Sequence, residues 1–453
     1  MNTTITALST APQAAGIHVI RMSGDESVEI LKRIFKPAKN VDTFEHARMY
    51  FGRVIDNGVA LDEVYAVSFY QPVSYTGENV VEIQCHGSAV LSKKILELLI
   101  KNGAVPAQPG EFTKRAFLNG KMDLVQAEAV MDLLNASGSA ASKNAFEQLS
   151  GELSAQINEL KEIFVFVMAN IDADIDFPEA DIEVVDRSML ISELRKAQNK
   201  VDSMLSTVSE GRIIKDGIKV AICGLPNAGK SSLLNCMTGS DRAIVTEIPG
   251  TTRDIIEEAV TVNGVLVRLF DTAGLRDTHD KVESIGIERT KSIIEKSDIA
   301  LVLIDGTCGE LSDDNKTLLN MTKGRKRIVA VNKSDLDVNE DFIEEIKRYE
   351  PQCVVISAQT GTGIEHLKQI IYDAALGDVT GETNCITNTR QIYCLRQCKT
   401  ALDDAISDME NGEPLDIAGI NIREAYQDIL ELVGETISDE ITDRIFMSFC
   451  LGK

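Results

Sequence analysis

No apolar stretch in this 453-residue chain is long enough to cross a bilayer: the longest, IFVFVMA at 163–169, is far below the roughly 20 residues a spanning helix needs. The first sixteen residues lack a basic segment followed by an apolar run, which argues against a signal peptide. Positive charge is scarce. With 46 basic against 70 acidic residues the net charge is -24, which opposes broad counterion-releasing contact with a polyphosphate. If nucleic acid is a substrate, another component helps to hold it. The cysteines number nine, odd and scattered, and read as reduced thiols rather than a disulfide framework. These absences predict a soluble, cytoplasmic protein.

What is present is an ordinary globular composition, 44% hydrophobic and 26% charged. The length suggests about three domains of roughly 150 residues. Residues 1–118 mix strand signals (VYAVSFY at 64–70, NVVEIQC at 79–85) with a helix signal at 88–103 that stops at Gly103, and read as an α+β domain. Over 119–215 the period becomes helical: Leu153, Ile157, Leu160, Phe164, Val167 and Ile171 share a face, as do Leu194, Ala197, Val201, Leu205 and Val208. Helical patterning returns over 379–453, with one face running from Ile422 to Val433 before Gly434 and a last helix from about Ile437 to Phe449. Between these arms, 216–378 alternates helices with the apolar runs IKVAIC, VLVRLFD, IALVLID, RIVAVN and CVVIS, the signature of a mostly parallel sheet covered on both faces. Asn263-Gly264 marks a hairpin and hence one antiparallel edge strand.

GLPNAGKS at 224–231 fits G-x-x-x-x-G-K-[ST] between a strand and the helical pattern SLLNCM. Its glycines let backbone N–H groups curl around a β-phosphate, Lys230 brings a point charge to the β- and γ-phosphates, and Ser231 offers a hydroxyl to Mg²⁺. DTAG at 271–274 ends a later strand, placing Asp271 to reach the metal through water and the Gly274 N–H to reach the γ-phosphate. NKSD at 332–335 and SAQ at 357–359 end two further strands, and TTRD at 251–254 lies between the first two motifs, with Thr252 a candidate Mg²⁺ ligand. In this order the motifs resemble the GTPase superfamily. The resemblance implies that Asp335 takes the guanine N1–H and 2-amino donors; adenine has no matching pair, so GTP is favoured over ATP. Leu275 follows DTAG where Ras-like enzymes carry a water-orienting glutamine, so the catalytic machinery differs.

SYTGENVVEIQCHGS, PGEFTKRAFLNGKMDLVQAEAVMDLL, GLPNAGKSSLLN, EIPGTTRDIIEE, DTAGLRDTHDKVESIGIERT and the terminal FCLGK closely resemble the TrmE-type (MnmE) family of tRNA modification GTPases, from about residue 16 to the last residue. The resemblance implies a multidomain α/β plus α fold: an N-terminal α+β folate-binding and dimerisation domain (1–118), a helical domain in two parts (119–215 and 379–453), and an inserted Ras-like P-loop GTPase domain (216–378). It implies GTP and GDP contacts from Asn227, Ala228, Gly229, Lys230, Ser231 and Ser232, from Thr246, Glu247, Ile248, Pro249, Gly250, Thr251 and Thr252, from Asp271, Thr272, Ala273 and Gly274, and from Asn332, Lys333, Asp335, Ser357 and Ala358. In the same family K⁺ activates hydrolysis as two GTPase domains of a homodimer meet, which assigns K⁺ to Asn227, Thr246, Ile248 and Thr251 and Mg²⁺ to Ser231 and Thr252. Glu283 matches the residue that positions attacking water, with Lys230 the other catalytic group.

For the N-terminal domain the resemblance implies a tetrahydrofolate one-carbon carrier, as the 5,10-methylene or 5-formyl form, at Arg21, Glu82, Lys121 and Lys453. A carboxylate suits the pterin's amino edge and basic groups suit a glutamate tail. Cys450, in FCLGK where the family has C-I-G-K, is either a nucleophile or a small apolar side chain of the last helix, and a site-lining role is favoured. Cys394 and Cys398 have no second ligand pair and read as packing residues; His86 reads as a turn residue. The implied activity is GTP hydrolysis coupled, with an FAD-carrying MnmG-like partner that holds most of the tRNA, to adding a (carboxymethyl)aminomethyl group at carbon five of the wobble uridine. The alternative is a non-catalytic ribosome-assembly or RNA-binding switch, in which the VEIQCHGS, PGEFTKRAF and FCLGK segments are not expected.

Overall fold

A computed structural model describes residues 3–176, 186–239, 257–271, 291–336, 338–350, 352–377 and 384–452. It divides into two compact units, one formed by Met1–Met131, Gln148–Leu194 and Thr400–Lys453, the other by Asp132–Glu147 and Arg195–Lys399.

In the first unit seven strands, β1 (Ile5–Leu8), β2 (Ile17–Ser23), β3 (Phe35–Pro37), β4 (Met49–Asp56), β5 (Val59–Phe69), β6 (Val80–His86) and β7 (Val105–Pro106), form a sheet of order β3-β4-β5-β6-β2-β1-β7. Period-two alternation sends Ile20, Met22, Val64, Ala66, Val81 and Ile83 to one face, where the amphipathic helices Ser27–Ile34 and Ala89–Lys101 cover them with Ile30, Leu31, Ile34, Ile95 and Leu99. Each of these side chains larger than alanine contributes roughly 1.5–3 kcal/mol by leaving water. The opposite face carries Arg21 and Glu82, paired in register across β2 and β6, and leaves Met49, Phe51 and Tyr65 exposed.

The helical patterns of this unit are realised as Glu152–Asp176 and Leu415–Val433, which pack against each other, with Leu160, Phe164 and Ile171 buried on one and Ile422, Ala425 and Ile429 buried on the other. Gly434 ends the second with φ 88°, its N–H bonded to the Leu430 and Glu431 carbonyls. The last helix is shorter than the apolar period suggested, Asp439–Phe446, capped by the Ser438 hydroxyl. Phe446 and Phe449 are nonetheless both buried, packed with Leu124 and Ala127.

In the second unit β8 (Ile218–Gly224), β9 (Glu257–Val262), β10 (Val265–Asp271), β11 (Ile299–Asp305), β12 (Arg327–Asn332) and β13 (Val354–Val355) form a sheet of order β13-β12-β11-β8-β10-β9. Only the β9–β10 pair is antiparallel, turning at Asn263-Gly264 as the dipeptide predicted. The four longer parallel strands are buried almost throughout, which is why they read as unbroken apolar runs. The strand order reverses beside β8, so a ligand crevice is expected at the carboxyl ends of β8 and its neighbours. Those ends carry the nucleotide motifs. All nine cysteines are free, and Cys394 and Cys398 are buried in their helix.

Candidate functional site

At the carboxyl end of β8 the chain makes a tight loop and enters the helix Lys230–Thr238. Asn227 (φ 66°) and Gly229 (φ 96°) both take left-handed backbone angles, which aims successive N–H groups into the loop. Lys230 is buried, and its ammonium donates to the Gly224 and Leu225 carbonyls at 2.7 and 3.0 Å. Ala228 is buried, whereas Ser231 and Ser232 are exposed on the first turn of the helix. Asp271, buried at the end of β10, lies in register with Ile222 of β8. Cys223, one residue before the loop, has its thiol pushed up to about 12 by burial, which outweighs the opposing charge of Lys230.

The NKSD and SAQ motifs meet the GLPNAGKS loop through Asn332. Its amide donates to the Ala228 carbonyl at 2.8 Å and accepts from the Ala358 N–H at 2.9 Å. A Cβ on Gly229 would stand 2.2 Å from the Asn332 nitrogen, so only glycine permits this approach. Lys333 (φ 69°) is ion-paired with Asp305 at 2.6 Å. Burial would raise the Asp305 carboxyl, but hydrogen bonds from Lys333 and Thr307 outweigh it and hold the group below its usual value. Asp335 is exposed and one of its oxygens accepts from the buried Ser357 hydroxyl at 2.5 Å. Thr246, Glu247, Ile248, Pro249, Gly250, Thr251, Thr252, Thr272, Ala273, Gly274 and Glu283 lie outside the described residues.

In the first unit Arg21 points both Nε and Nη2 at a single oxygen of Glu82, at 2.9 and 2.7 Å. The guanidinium also sits 5.4 Å from the Tyr75 ring centre and 5.7 Å from that of Phe112. Lys121 is exposed and donates to the Pro72 carbonyl at 3.2 Å, across the loop that carries Tyr75. Cys450 is exposed and follows the last helix, so it does not pack as a buried apolar side chain; its carbonyl accepts from the Gly110 N–H at 3.3 Å. Gly452 lies against β1, where a Cβ would meet the Leu8 carbonyl oxygen at 2.4 Å. Lys453 is outside the described residues.

Two family models account for nearly the whole chain: "MnmE helical domain" matches residues 124–450 and "GTP-binding protein TrmE N-terminus" matches residues 4–121. The chain belongs to the MnmE (TrmE) family. It is 43% identical to the tRNA modification GTPase MnmE of Natranaerobius thermophilus and 42% identical to that of Acetivibrio thermocellus, in each case over 99% of both chains. The MnmE of Geobacillus thermodenitrificans is 40% identical, again with 99% of both chains covered.

For this MnmE-family chain, sequence reasoning passed over four residues that the geometry places at or behind the candidate sites. Asp305 braces Lys333, and its signal was the aspartate-glycine pair ending the strand IALVLID. Tyr75 and Phe112 lie against the Arg21 guanidinium; both fall inside motifs that carry the resemblance, where nothing marks them as its aromatic partners. Arg115 is 2% exposed, bonded to Glu78 at 3.0 Å, Glu111 at 2.9 Å and the Thr3 carbonyl at 2.9 Å, and so ties the Tyr75 loop to the helix Glu111–Leu118. No charge pattern in the sequence distinguishes it from a surface arginine.

Proposed function

We propose that this chain hydrolyses GTP and, together with an FAD-carrying MnmG-like partner, adds an aminomethyl-type group at carbon five of the wobble uridine of tRNA. The observation that carries the reading is the convergence of Lys230, Asp271, Asn332, Asp335 and Ser357 on the carboxyl edge of one parallel sheet. Nucleotide phosphates would lie on the start of the helix Lys230–Thr238, with the N–H groups of its first turn and the Lys230 ammonium as counter-charge. Asp335 would read guanine, its second oxygen left for the base while Ser357 holds the first. The exposed Ser231 hydroxyl and the carboxylate of Asp271 are hard oxygen donors of the kind Mg²⁺ takes, and Thr252 would complete the set.

Asn227, with Thr246, Ile248 and Thr251, would hold K⁺ between two copies of the chain, a positive charge that offsets charge developing on the transferring phosphoryl group. Glu283 would position the attacking water. In the N-terminal domain, the second oxygen of Glu82 would accept from the amino edge of a pterin, and Arg21, Lys121 and Lys453 would surround a tetrahydrofolate derivative. The exposed Met49, Phe51 and Tyr65 on the same sheet face favour a second copy as the cover of that face. Two measurements test the scheme. Hydrolysis should be much faster in K⁺ than in Na⁺, and tRNA from cells lacking the chain should carry unmodified carbon five at wobble uridines. Normal wobble uridines in such cells would overturn the tRNA assignment, and equal rates in the two salts the potassium one.

A further inference from the structure

The β9–β10 hairpin lies in sequence between TTRD and DTAG, the motifs that hold the candidate γ-phosphate contacts. Thr252 lies five residues before the start of β9, and β10 ends on Asp271, the first residue of DTAG. Six cross-strand pairs, Val265↔Val262 to Phe270↔Glu257, fix the register, so the hairpin is a stiff ribbon about 20 Å long. At its far end the Asn263-Gly264 turn meets residues that are remote in sequence. The Ala140 N–H donates to the Gly264 carbonyl at 3.0 Å, in the first turn of the helix Ser139–Leu149. Asn263 donates to Gln369 at 3.0 Å.

The contact has no slack. A Cβ on Gly138 would lie 2.4 Å from the Gly264 oxygen, one on Gly264 2.4 Å from the Ser139 hydroxyl, and one on Gly217 2.6 Å from the Leu266 oxygen. Gly138 and Gly217 thus bring backbone against backbone at the turn, and Gly264 admits the Ser139 hydroxyl. The helix it grips is held one turn further on as well, since Asn144 exchanges two hydrogen bonds with Cys385, at 2.7 and 3.2 Å. The chain then passes from Glu147 of the second unit into Gln148 of the first.

We propose that the Asn263-Gly264 turn is the contact through which nucleotide state, sensed at the two ends of the hairpin, is passed to the helix Ser139–Leu149. The inference rests on the nucleotide-site reading above and adds to it a route out of the GTPase sheet. Any shift of β9 or β10 along its axis moves the turn as a body, because the six pairs keep the strands in register. The close-packed glycines transmit that shift to the helix start and leave no gap to absorb it.

Amide hydrogen exchange on the full chain, saturated with GDP or with a non-hydrolysable GTP analogue, tests this. In the wild type, exchange over 139–149 should differ about fivefold between the two nucleotides, the effect of one net hydrogen bond. Gly264→Ala should erase the difference, by driving a methyl group into the Ser139 hydroxyl. Adding Ser139→Ala should restore it, since the strain at residue 264 is common to both variants and only the clash is relieved. If Gly264→Ala does not fold, Gly138→Ala, whose backbone is not left-handed, should erase the difference from the helix side. A wild-type chain that binds both nucleotides without a difference at 139–149, or a response unchanged by these variants, overturns the inference. A chain that binds neither nucleotide overturns instead the reading of the site.

Discussion

Asn332 donates to the Ala228 carbonyl at 2.8 Å and thereby bolts the end of β12 to the GLPNAGKS loop. Its other amide atom accepts from Ala358 at 2.9 Å, so one side chain holds three motifs in register. Asn332 is 2% exposed and both partners are buried, which leaves water little access to replace it. Each orphaned backbone group would cost about 1–3 kcal/mol. Asn332→Ala should therefore weaken GTP and GDP alike by roughly 10- to 100-fold and lower the unfolding temperature. Titration with a fluorescent guanine nucleotide checks this; unchanged affinity would show that the two loops hold their places without the bridge.

Asp335 is oriented by Ser357, whose hydroxyl accepts from the Thr360 N–H at 3.1 Å and so spends its own proton on Asp335. In Asp335→Asn the amide oxygen would take that proton and the NH₂ would face the base. Guanine's amino group then meets a donor, whereas xanthine offers a carbonyl there. Preference should shift from GTP to xanthosine triphosphate, with GTP losing roughly 10- to 100-fold from two charge-assisted hydrogen bonds. Competition between the two nucleotides for the variant reads it directly. An unaltered ranking would mean that Asp335 does not touch the base.

The parts of this molecule that were legible in the sequence are those whose structure is written in side-chain period or in backbone chemistry. Buried parallel strands show as unbroken apolar runs, Asn263-Gly264 announces its turn, Gly434 ends its helix, and the phosphate loop needs its glycines. The helix Ser139–Leu149 was not legible, because its buried side is formed by Asn144, Ala145 and Gln148 and its anchoring is by hydrogen bonds. Arg115 escaped for a related reason. A buried guanidinium and an exposed one have the same letter, and only the placement of Glu78, Glu111 and Thr3 around it tells them apart. The last helix stops at Phe446 although the apolar spacing continues to Phe449, since Phe449 reaches the same buried cluster from a turn.

Asp428, on the helix Leu415–Val433, has one buried carboxylate oxygen with no hydrogen-bond partner among the described residues. Burial first, then the charges of Glu424 and Glu431, push its carboxyl up to about 6. A raised folded-state value means that the folded chain keeps this proton while the unfolded chain loses it near the ordinary aspartate value of 3.8. Its contribution is thus intact below about pH 4, is lost as pH rises towards 6, and stands as a penalty at neutral pH. Asp428→Asn should stabilise the protein at pH 7 to 8 by about 1 kcal/mol, after discounting for its partial exposure, and the gain should vanish near pH 4. Denaturant titrations of both proteins across that range measure it. A gain that does not depend on pH would mean that the charge of Asp428 is not what is unfavourable.

The C-terminal tail is brought by the geometry to the N-terminal domain of the same unit. Gly110 donates to the Cys450 carbonyl, Gly452 packs against Leu8 and Ser9 at the end of β1, and an ion pair joins Lys114 to Asp443 just upstream. Phe446 and Phe449, both buried with Leu124 and Ala127, fix the chain before the tail begins. Removing residues 450–453 therefore spares the apolar anchor and deletes only the segment lying along β1, the neighbour of the strand that carries Arg21. The nucleotide motifs belong to the other unit. The truncated chain should bind GTP and hydrolyse it at close to the wild-type rate, bind a reduced folate at least about tenfold more weakly, as loss of a charged partner would give, and fail to modify tRNA. Hydrolysis assays, folate titration and analysis of wobble uridines separate the outcomes. A truncated protein that still modifies tRNA would remove Cys450 and Lys453 from the site, whereas one that has lost hydrolysis as well would show that the tail serves the stability of the whole chain.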